Sequence, residues 1–172
     1  MPTSKLRAPT LAALHALLRP LGFQKVSGLY SRATQNIVHL IEVQGSRAST
    51  KEEARITVNV GAFVPELVYA DVRETTKPSI PGAHWRTRLG HLSPEHTDLW
   101  WHIANEEQAF AAAQDIASRV QAYALPALAE LPNSTALVAQ WQAGNARGLT
   151  EPQRKEYLAR LGGGQPHAHS VV

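Results

Sequence analysis

The fold is decided by residues 37–62, which read IVHLIEVQGSRASTKEEARITVNVGA. Residues 37–43 are rich in branched apolar side chains, as β-strands are. The polar run 45–53 predicts a hairpin loop. Residues 56–62 then alternate between apolar and polar or small side chains, which predicts a strand with one buried face. An antiparallel hairpin is therefore expected at the centre of the fold.

Further strands are predicted on both sides of this hairpin. Residues 22–32 contain two short β runs that turn at Ser27-Gly28. Residues 84–90, HWRTRLG, alternate again. The bulky run LWWHI at 99–103 predicts another strand or the approach to the next helix.

Helices are expected at the two ends of the chain. The predicted helices cover residues 11–19, 105–126, 134–143 and 151–161. Thr10 is the expected N-cap of the first helix, and Pro126 ends or kinks the second. The second helix carries an apolar stripe at spacings of three and four, formed by Phe110, Ala113, Ala117, Val120 and Ala124.

This order of elements predicts an α+β fold. We expect an antiparallel β-sheet of about four to six strands, with an N-terminal helix and a C-terminal helical segment packed on one face. Residues 1–161 are predicted to form a single domain, and residues 162–172 a flexible C-terminal tail that starts in a run of three glycines. The uncovered face of the sheet is then the place to look for function.

Composition excludes several classes of function. The 172 residues contain no cysteine, which excludes disulfides, zinc–thiolate sites, iron–sulfur clusters and thiol catalysis, and fits the cytoplasm. The net charge of +3 is too small to favour nucleic acid as a partner. No apolar run approaches the roughly 20 residues that span a bilayer, so no membrane association is expected.

Several segments together resemble a known family. They are the opening helix running into Gly22-Phe23 with Tyr30 and Arg32, the strands at 37–44 and 56–61, the run 84–90, and 99–101. In this order, over roughly residues 10–130, the chain resembles the bacterial family catalogued as domain of unknown function 4304. The resemblance implies a small domain with a sheet and flanking helices, and it carries no activity and no catalytic residue.

The alternating run at 84–90 holds the most informative side chains. His84, Arg86 and Arg88 would leave one face of a strand about 7 Å apart, where like charges repel and need a counter-ion. Such a set could bind a carboxylate, a phosphate or an acidic protein loop. The alternative is that the arginines pair inside the fold with an acid, the candidates being Glu42, Glu66 and Asp98.

Three tryptophans lie near this run. Trp100 and Trp101 are adjacent, so on a strand they would face opposite ways, with one in the core and the other on the open face; the alternative is that both are buried under the loop 64–82. An exposed tryptophan beside arginine is typical of an interface or of a stacking platform. Trp85 completes the candidate ligand-binding set His84, Trp85, Arg86, Arg88, Asp98, Trp100 and Trp101.

A metal or cofactor is not predicted. His91, His96, Asp98 and His102 are dense in possible ligands, but their spacing matches no known short metal motif. No Gly-x-Ser-x-Gly elbow and no glycine-rich phosphate loop between a strand and a helix occurs. No catalytic residue is therefore assigned from motifs.

We expect a non-catalytic binding domain whose open sheet face holds an acidic protein surface or a small anion through His84, Arg86, Arg88 and one tryptophan. One alternative is an enzyme of unrecognised type that uses His84, Asp98 and the two arginines in a cleft under the proline-containing loop 64–82. A second alternative is a weak nucleic-acid binder. The sequence makes no prediction of oligomeric state.

Overall fold

The structure, a computed structural model, describes residues 3–162. Its helices are α1 (Thr3–Leu18), α2 (Leu89–Leu92), α3 (Glu106–Arg119), α4 (Leu125–Ala129), α5 (Ser134–Gln142) and α6 (Glu151–Gly162). Its strands are β1 (Gln24–Val26), β2 (Leu29–Ala33), β3 (Val38–Gly45), β4 (Ala54–Phe63), β5 (Trp85–Arg88) and β6 (Trp101–Ile103). The predicted α+β fold is confirmed.

The strands form one antiparallel sheet in the order β1-β2-β3-β4-β5, and β6 pairs with β4 as well. Its centre is the predicted β3–β4 hairpin, in which Ile41 lies opposite Val60. β5 pairs with residues 59–62 and β6 with residues 54–56, so the two short strands share one edge of β4. Ser27, with φ 57°, turns the β1–β2 hairpin at the predicted position.

One face of the sheet, which we call the helical face, packs against α1 and α3. Ile41 and Val60 lie on it and are completely buried, together with Leu14 of α1 and Ile116 of α3. Tyr30 on the same face donates its hydroxyl proton to the backbone carbonyl of Leu11 at 2.6 Å. Apolar burial of this extent is the main stabilising contribution to the fold.

The opposite face, which we call the open face, is covered at one end only. There Leu40 and Phe63 pack against Ile80 and Ala83 of the loop between β4 and β5. Gly61 permits this approach, because a Cβ on it would lie 3.1 Å from side-chain carbons of both loop residues. β4 is consequently buried on both faces, and the prediction of a single buried face is wrong.

Two helix predictions need correction. α1 starts well before residue 11 and runs through Pro9, because Leu6 packs into the core. Thr10 is therefore inside the helix and is not its cap. Of the predicted apolar stripe, Ala113, Val120 and Ala124 are buried as expected, whereas Phe110 is 61% exposed and the neighbouring Ala109 is buried instead. α3 then continues through a π-turn at Val120–Ala124 into α4.

The last two helices lie beside the edge strand β5. The backbone N–H of Arg86 donates to the carbonyl oxygen of Arg147, in the loop between α5 and α6, at 3.0 Å. Tyr157 of α6 packs edge-on against the His84 ring, with centroids 5.0 Å apart. These contacts close the otherwise free edge of β5.

Other expectations concern the ends of the chain and the membrane. The single domain over 1–161 stays a prediction. Of the predicted tail only Gly162, the last residue of α6, is described, and residues 163–172 lie outside the described residues. Among the helices of residues 3–162, none has both the length and the apolar character to cross a membrane.

Candidate functional site

The uncovered end of the open face forms a cleft of about 680 Å³. Its floor is the sheet, one wall is the apolar pair Ile80 and Pro81, and the opposite wall is the α5–α6 loop. We call this space the cleft. The residues that line it are Gln44, Asn59, Ile80, Pro81, Arg86, Thr87, Arg88, His91, Arg147 and Gly148.

Arg88 already has an acidic partner. Its guanidinium forms an ion pair with Asp98 and lies 5.1 Å from the centre of the Trp100 ring. The Trp100 indole N–H also donates to Asp98, at 3.1 Å. Burial alone would raise the pKa of Asp98, but the bonds from Arg88 and Trp100 outweigh it and hold that pKa below its ordinary value. One of the internal pairings that the sequence left open is thus present.

The ion pair depends on a close backbone approach at Gly90 in α2. A Cβ on Gly90 would lie 2.2 Å from the carbonyl oxygen of Thr97. Only glycine therefore lets the segment that carries Asp98 fold back against β5.

Arg86 is in a different situation from Arg88. Its guanidinium donates to the backbone carbonyl of Pro81 at 2.5 Å. Within residues 3–162 no carboxylate lies within 4.0 Å of it. Gly148 packs on the Arg86 side chain so closely that a Cβ would lie 2.2 Å from the Arg86 Cγ. The backbone of the α5–α6 loop therefore holds the Arg86 stem in place.

A second arginine without an acidic partner lies beside it. Arg147 is exposed and lines the cleft, and its carbonyl is bonded to the backbone of Arg86. In the part of the chain that the structure describes, its side chain forms no hydrogen bond or ion pair. Arg86 and Arg147 thus bring two unneutralised positive charges to one cleft.

The floor of the cleft carries polar side chains from the central hairpin. Asn59 of β4 lies opposite Glu42 of β3 on one side and opposite Arg88 of β5 on the other. Its amide nitrogen donates to Glu42 at 3.1 Å and to Gln44 at 2.7 Å. The Asn59 residue is only 6% exposed, so its position is fixed by the sheet.

Of the seven predicted site residues only Arg86 and Arg88 line the cleft, and two of the others are almost completely buried. His84 is 4% exposed, and its ring lies between the rings of Phe63 and Tyr157. Its Nδ1 accepts a hydrogen bond from the backbone N–H of Val64 at 3.0 Å. Burial lowers the pKa of His84 to about 4. Trp85 is 3% exposed in the core beneath the helical face. Neither side chain is available to a ligand in the cleft.

The adjacent tryptophans lie on opposite sides of the sheet. Trp101 packs against the core and donates its indole N–H to Asp115 of α3 at 2.8 Å. Trp100 lies under the Arg88 guanidinium and is half-buried. Its ring packs against the arginine and is no free stacking platform.

The histidines and the aspartate between residues 91 and 102 do not converge. His102 bonds to Glu53 at 2.8 Å, whereas Asp98 bonds to Arg88. His96 contacts the backbone carbonyl of His91 at 3.3 Å. Throughout residues 3–162, no three histidine or acidic side chains are grouped so that they could hold a metal ion.

Of the ten residues that line the cleft, the predicted ligand-binding set contained only Arg86 and Arg88. Asn59 and Gln44 could have been found, because the alternation of the two central strands puts them on the face opposite Val58 and Val43. Arg147 gives no such signal. It follows β5 by about sixty positions in the chain and reaches the cleft only through the packing of α5 and α6.

Comparison with known proteins identifies the family. The family model described as Domain of unknown function (DUF4304) matches residues 14–130, more than half of the chain. The chain belongs to this family. No curated protein and no solved structure matches it. The DUF4304 match includes the floor of the cleft and ends before Arg147 and Gly148, so in this chain the cleft combines the family region with the segment that follows it.

Proposed function

We propose that this DUF4304 protein is a non-catalytic binding protein that holds a small anion in the cleft. The observation that carries the proposal is the pair Arg86 and Arg147, two arginines that line the cleft, are joined by a backbone hydrogen bond and have no acidic partner among residues 3–162. Like charges that share one cleft without an acidic partner repel, and a bound anion relieves the repulsion. Guanidinium groups also bind carboxylates and phosphates through paired hydrogen bonds.

The balance of charge in the cleft supports an anion. Three of the lining residues are arginines, and two carboxylates lie near them: that of Asp98 is paired with Arg88, and that of Glu42 accepts a hydrogen bond from Asn59 on the floor. No lining residue is acidic. The positive potential therefore exceeds what internal pairing neutralises.

The shape of the site favours a small ligand over the acidic protein surface that we also considered. A protein partner usually meets a flatter patch with exposed aromatic side chains. The cleft is open to solvent, but its volume lies within the usual range for small-molecule sites, and Trp100 is covered by Arg88. The same features argue against single-stranded nucleic acid, which needs free aromatic rings for stacking.

The placement of His84 and Asp98 disfavours the enzyme alternative. A general acid–base pair needs both groups within hydrogen-bond reach of a substrate. His84 is buried and accepts a bond from the Val64 backbone, whereas Asp98 is bonded to Arg88. We further propose a location in the bacterial cytoplasm, because the family resemblance implies a bacterial protein and the chain has no cysteine.

A thermal-shift experiment with phosphate and acetate tests the proposal. A ligand at 100 times its dissociation constant adds about 2.7 kcal/mol to the free energy of unfolding. The wild type should be stabilised by at least one of the two anions, and the double variant R86A/R147A should not. The matched control is R19A/R47A, which removes two exposed arginines outside the cleft and should respond like the wild type. Equal shifts in all three proteins would refute the proposal.

A further inference from the structure

A groove of about 490 Å³, which we call the α1–α3 groove, lies between these two helices on the outer surface of the helical layer. Ala8 and Ala12 of α1 line one side, and Phe110 of α3 lines the other. The charged lining residues are Lys5 and Glu106, and the rest are apolar. Because α1 and α3 pack on the helical face, the groove and the cleft lie on opposite sides of the sheet.

Phe110 is a large apolar side chain that the fold leaves in water. It is 61% exposed, whereas the other two phenylalanines, Phe23 and Phe63, are 4% and 2% exposed. Aromatic rings are among the apolar groups whose burial stabilises a protein most. An exposed ring at the rim of an apolar groove is typical of a protein–protein interface. The ring of Phe110 therefore indicates that a protein covers this groove.

The opposite side of the groove has room for such a ring. Ala8 and Ala12 are exposed and lie one helical turn apart on α1, so their short side chains leave a shallow recess. The same surface thus carries a projecting ring and a recess. A surface with both features is complementary to itself, as the interface of a twofold dimer must be.

The charges of the groove also match a second copy. Lys5 and Glu106 are exposed, and within residues 3–162 neither forms an ion pair. α1 contains no acidic residue, whereas α3 starts with Glu106 and Glu107. A twofold axis along the groove exchanges its two sides, so it lays α1 of each copy on α3 of the other. Lys5 then lies opposite Glu106 of the second copy.

We propose that a second copy of this chain occupies the α1–α3 groove and that the protein forms a symmetric dimer. Phe110 of each copy packs on Ala8 and Ala12 of the other, and the cleft stays open. The face is about 24 Å long and about 20 Å wide, less than the roughly 800 Å² that each partner contributes to a standard interface. The dimer is therefore weak and reversible, with a dissociation constant on the order of 10 to 100 µM.

Analytical ultracentrifugation of the full chain from about 2 to about 500 µM tests the dimer. The average mass of the wild type should rise from that of one chain towards that of two. F110A should weaken association at least about tenfold, because aromatic anchors carry much of the energy of an interface. The fold of F110A should be unchanged, since the ring that it removes is exposed.

The matched control is V26A. Val26 is 74% exposed on β1, the outermost strand of the sheet, which is another surface through which copies could associate. V26A should dimerise like the wild type. A wild type that stays monomeric at about 500 µM overturns the proposal and leaves the groove to a different partner. F110A that associates as tightly as the wild type also overturns it.

Charge reversal shows whether the contact joins two copies. Across a dimer of K5E both pairs become acid against acid, and across a dimer of E106K they become base against base. Each variant alone should dimerise about fivefold more weakly than the wild type at low salt. In an equimolar mixture, the heterodimer again pairs an acid with a base at both contacts and should form with the affinity of the wild type. A mixture that associates as weakly as the separate variants refutes the pairing and the dimer built on it.

Discussion

The same strands form both faces of the sheet, but the two faces have different roles. On the helical face, Val58 and Val60 of β4 are completely buried against helices, and nothing polar interrupts them. On the open face, the neighbouring Asn59 is also buried, but it lies under a cleft lined by arginines. Because successive residues of a strand face opposite sides, one run of sequence supplies both the core and the floor of the site.

This difference indicates that the helical face provides stability and that the open face provides the binding site. The helical face is a packed core, in which each lost methyl group reduces stability. The cleft is the part of the open face that the loop between β4 and β5 leaves uncovered, and its charged groups add little to folding because exposed ion pairs are weak. Substitutions on the two faces should therefore affect different measurements.

The largest effect is expected in the core. Ile41→Ala removes a completely buried side chain and should lower the free energy of unfolding by about 2 to 5 kcal/mol. Val38→Ala, at a half-buried position on the open face, should cost about 1 kcal/mol. Chemical denaturation of both variants measures the difference. Equal losses would mean that the two faces are packed alike.

The second effect is a pH dependence that comes from His84. Its pKa is about 4 in the folded protein and 6.5 in the unfolded chain, so between these values only the unfolded chain binds the proton. Stability should therefore fall by about 3 kcal/mol as the pH drops from 6.5 to 4. The variant H84N keeps an acceptor for the Val64 N–H and cannot titrate.

Denaturation curves at several pH values check this prediction. The loss of stability should be smaller in H84N, with a remainder from His39, whose pKa burial also lowers. An identical loss in wild type and H84N would show that His84 is not buried as described.

The third prediction concerns the wall of the cleft and uses two glycines as a matched pair. Gly148 and Gly144 have φ values of 76° and 86°, so the left-handed backbone alone should cost alanine about 1 to 2 kcal/mol of stability at either position, and steric overlap with Arg86 adds to this cost at Gly148. A Cβ on Gly148 would collide with Arg86, whereas one on Gly144 has nothing within 4 Å. Only G148A should therefore weaken anion binding, which the thermal-shift experiment measures. Equal anion binding in the two variants would show that Gly148 does not contribute to the anion site.

The smallest effect is expected for the ion pair of Arg88 and Asp98. A double-mutant cycle with alanine should give a coupling free energy of about 0 to 1 kcal/mol, because both groups are partly exposed. D98N should at the same time strengthen anion binding, since it frees the Arg88 guanidinium. A weaker affinity in D98N would show that Asp98 helps to form the site.

Local patterns predicted most of the fold. The alternation of β4 and the turn at Ser27 indicated the central hairpins, and Asn133 and Asn105 cap the helices expected after them. The errors in the predicted helix and strand boundaries and faces arise where contacts between distant parts of the chain decide the structure. The start of α1 depends on the packing of Leu6, and the second buried face of β4 depends on the loop that Gly61 admits.

The site was predictable only in part for the same reason. Strand alternation placed Arg86 and Arg88 on one face, and the ion pair with Asp98 was one of the pairings considered. The sequence could not show which of the two arginines pairs with an acid, because that depends on the fold of the loop after Gly90, which carries Asp98. Nor could the sequence show that Arg147 lines the cleft, because contacts between distant segments of the chain place it there.

The most direct test of the account follows the arginine side chains themselves. Nuclear magnetic resonance of the Nε–H groups during a titration with acetate and phosphate reports which guanidinium groups bind. We predict that the signals of Arg86 and Arg147 shift together along one saturating curve while that of the exposed Arg19 does not move. If the Arg86 signal stays in place, or shifts no more than that of Arg19, the cleft is not an anion site and the account is contradicted.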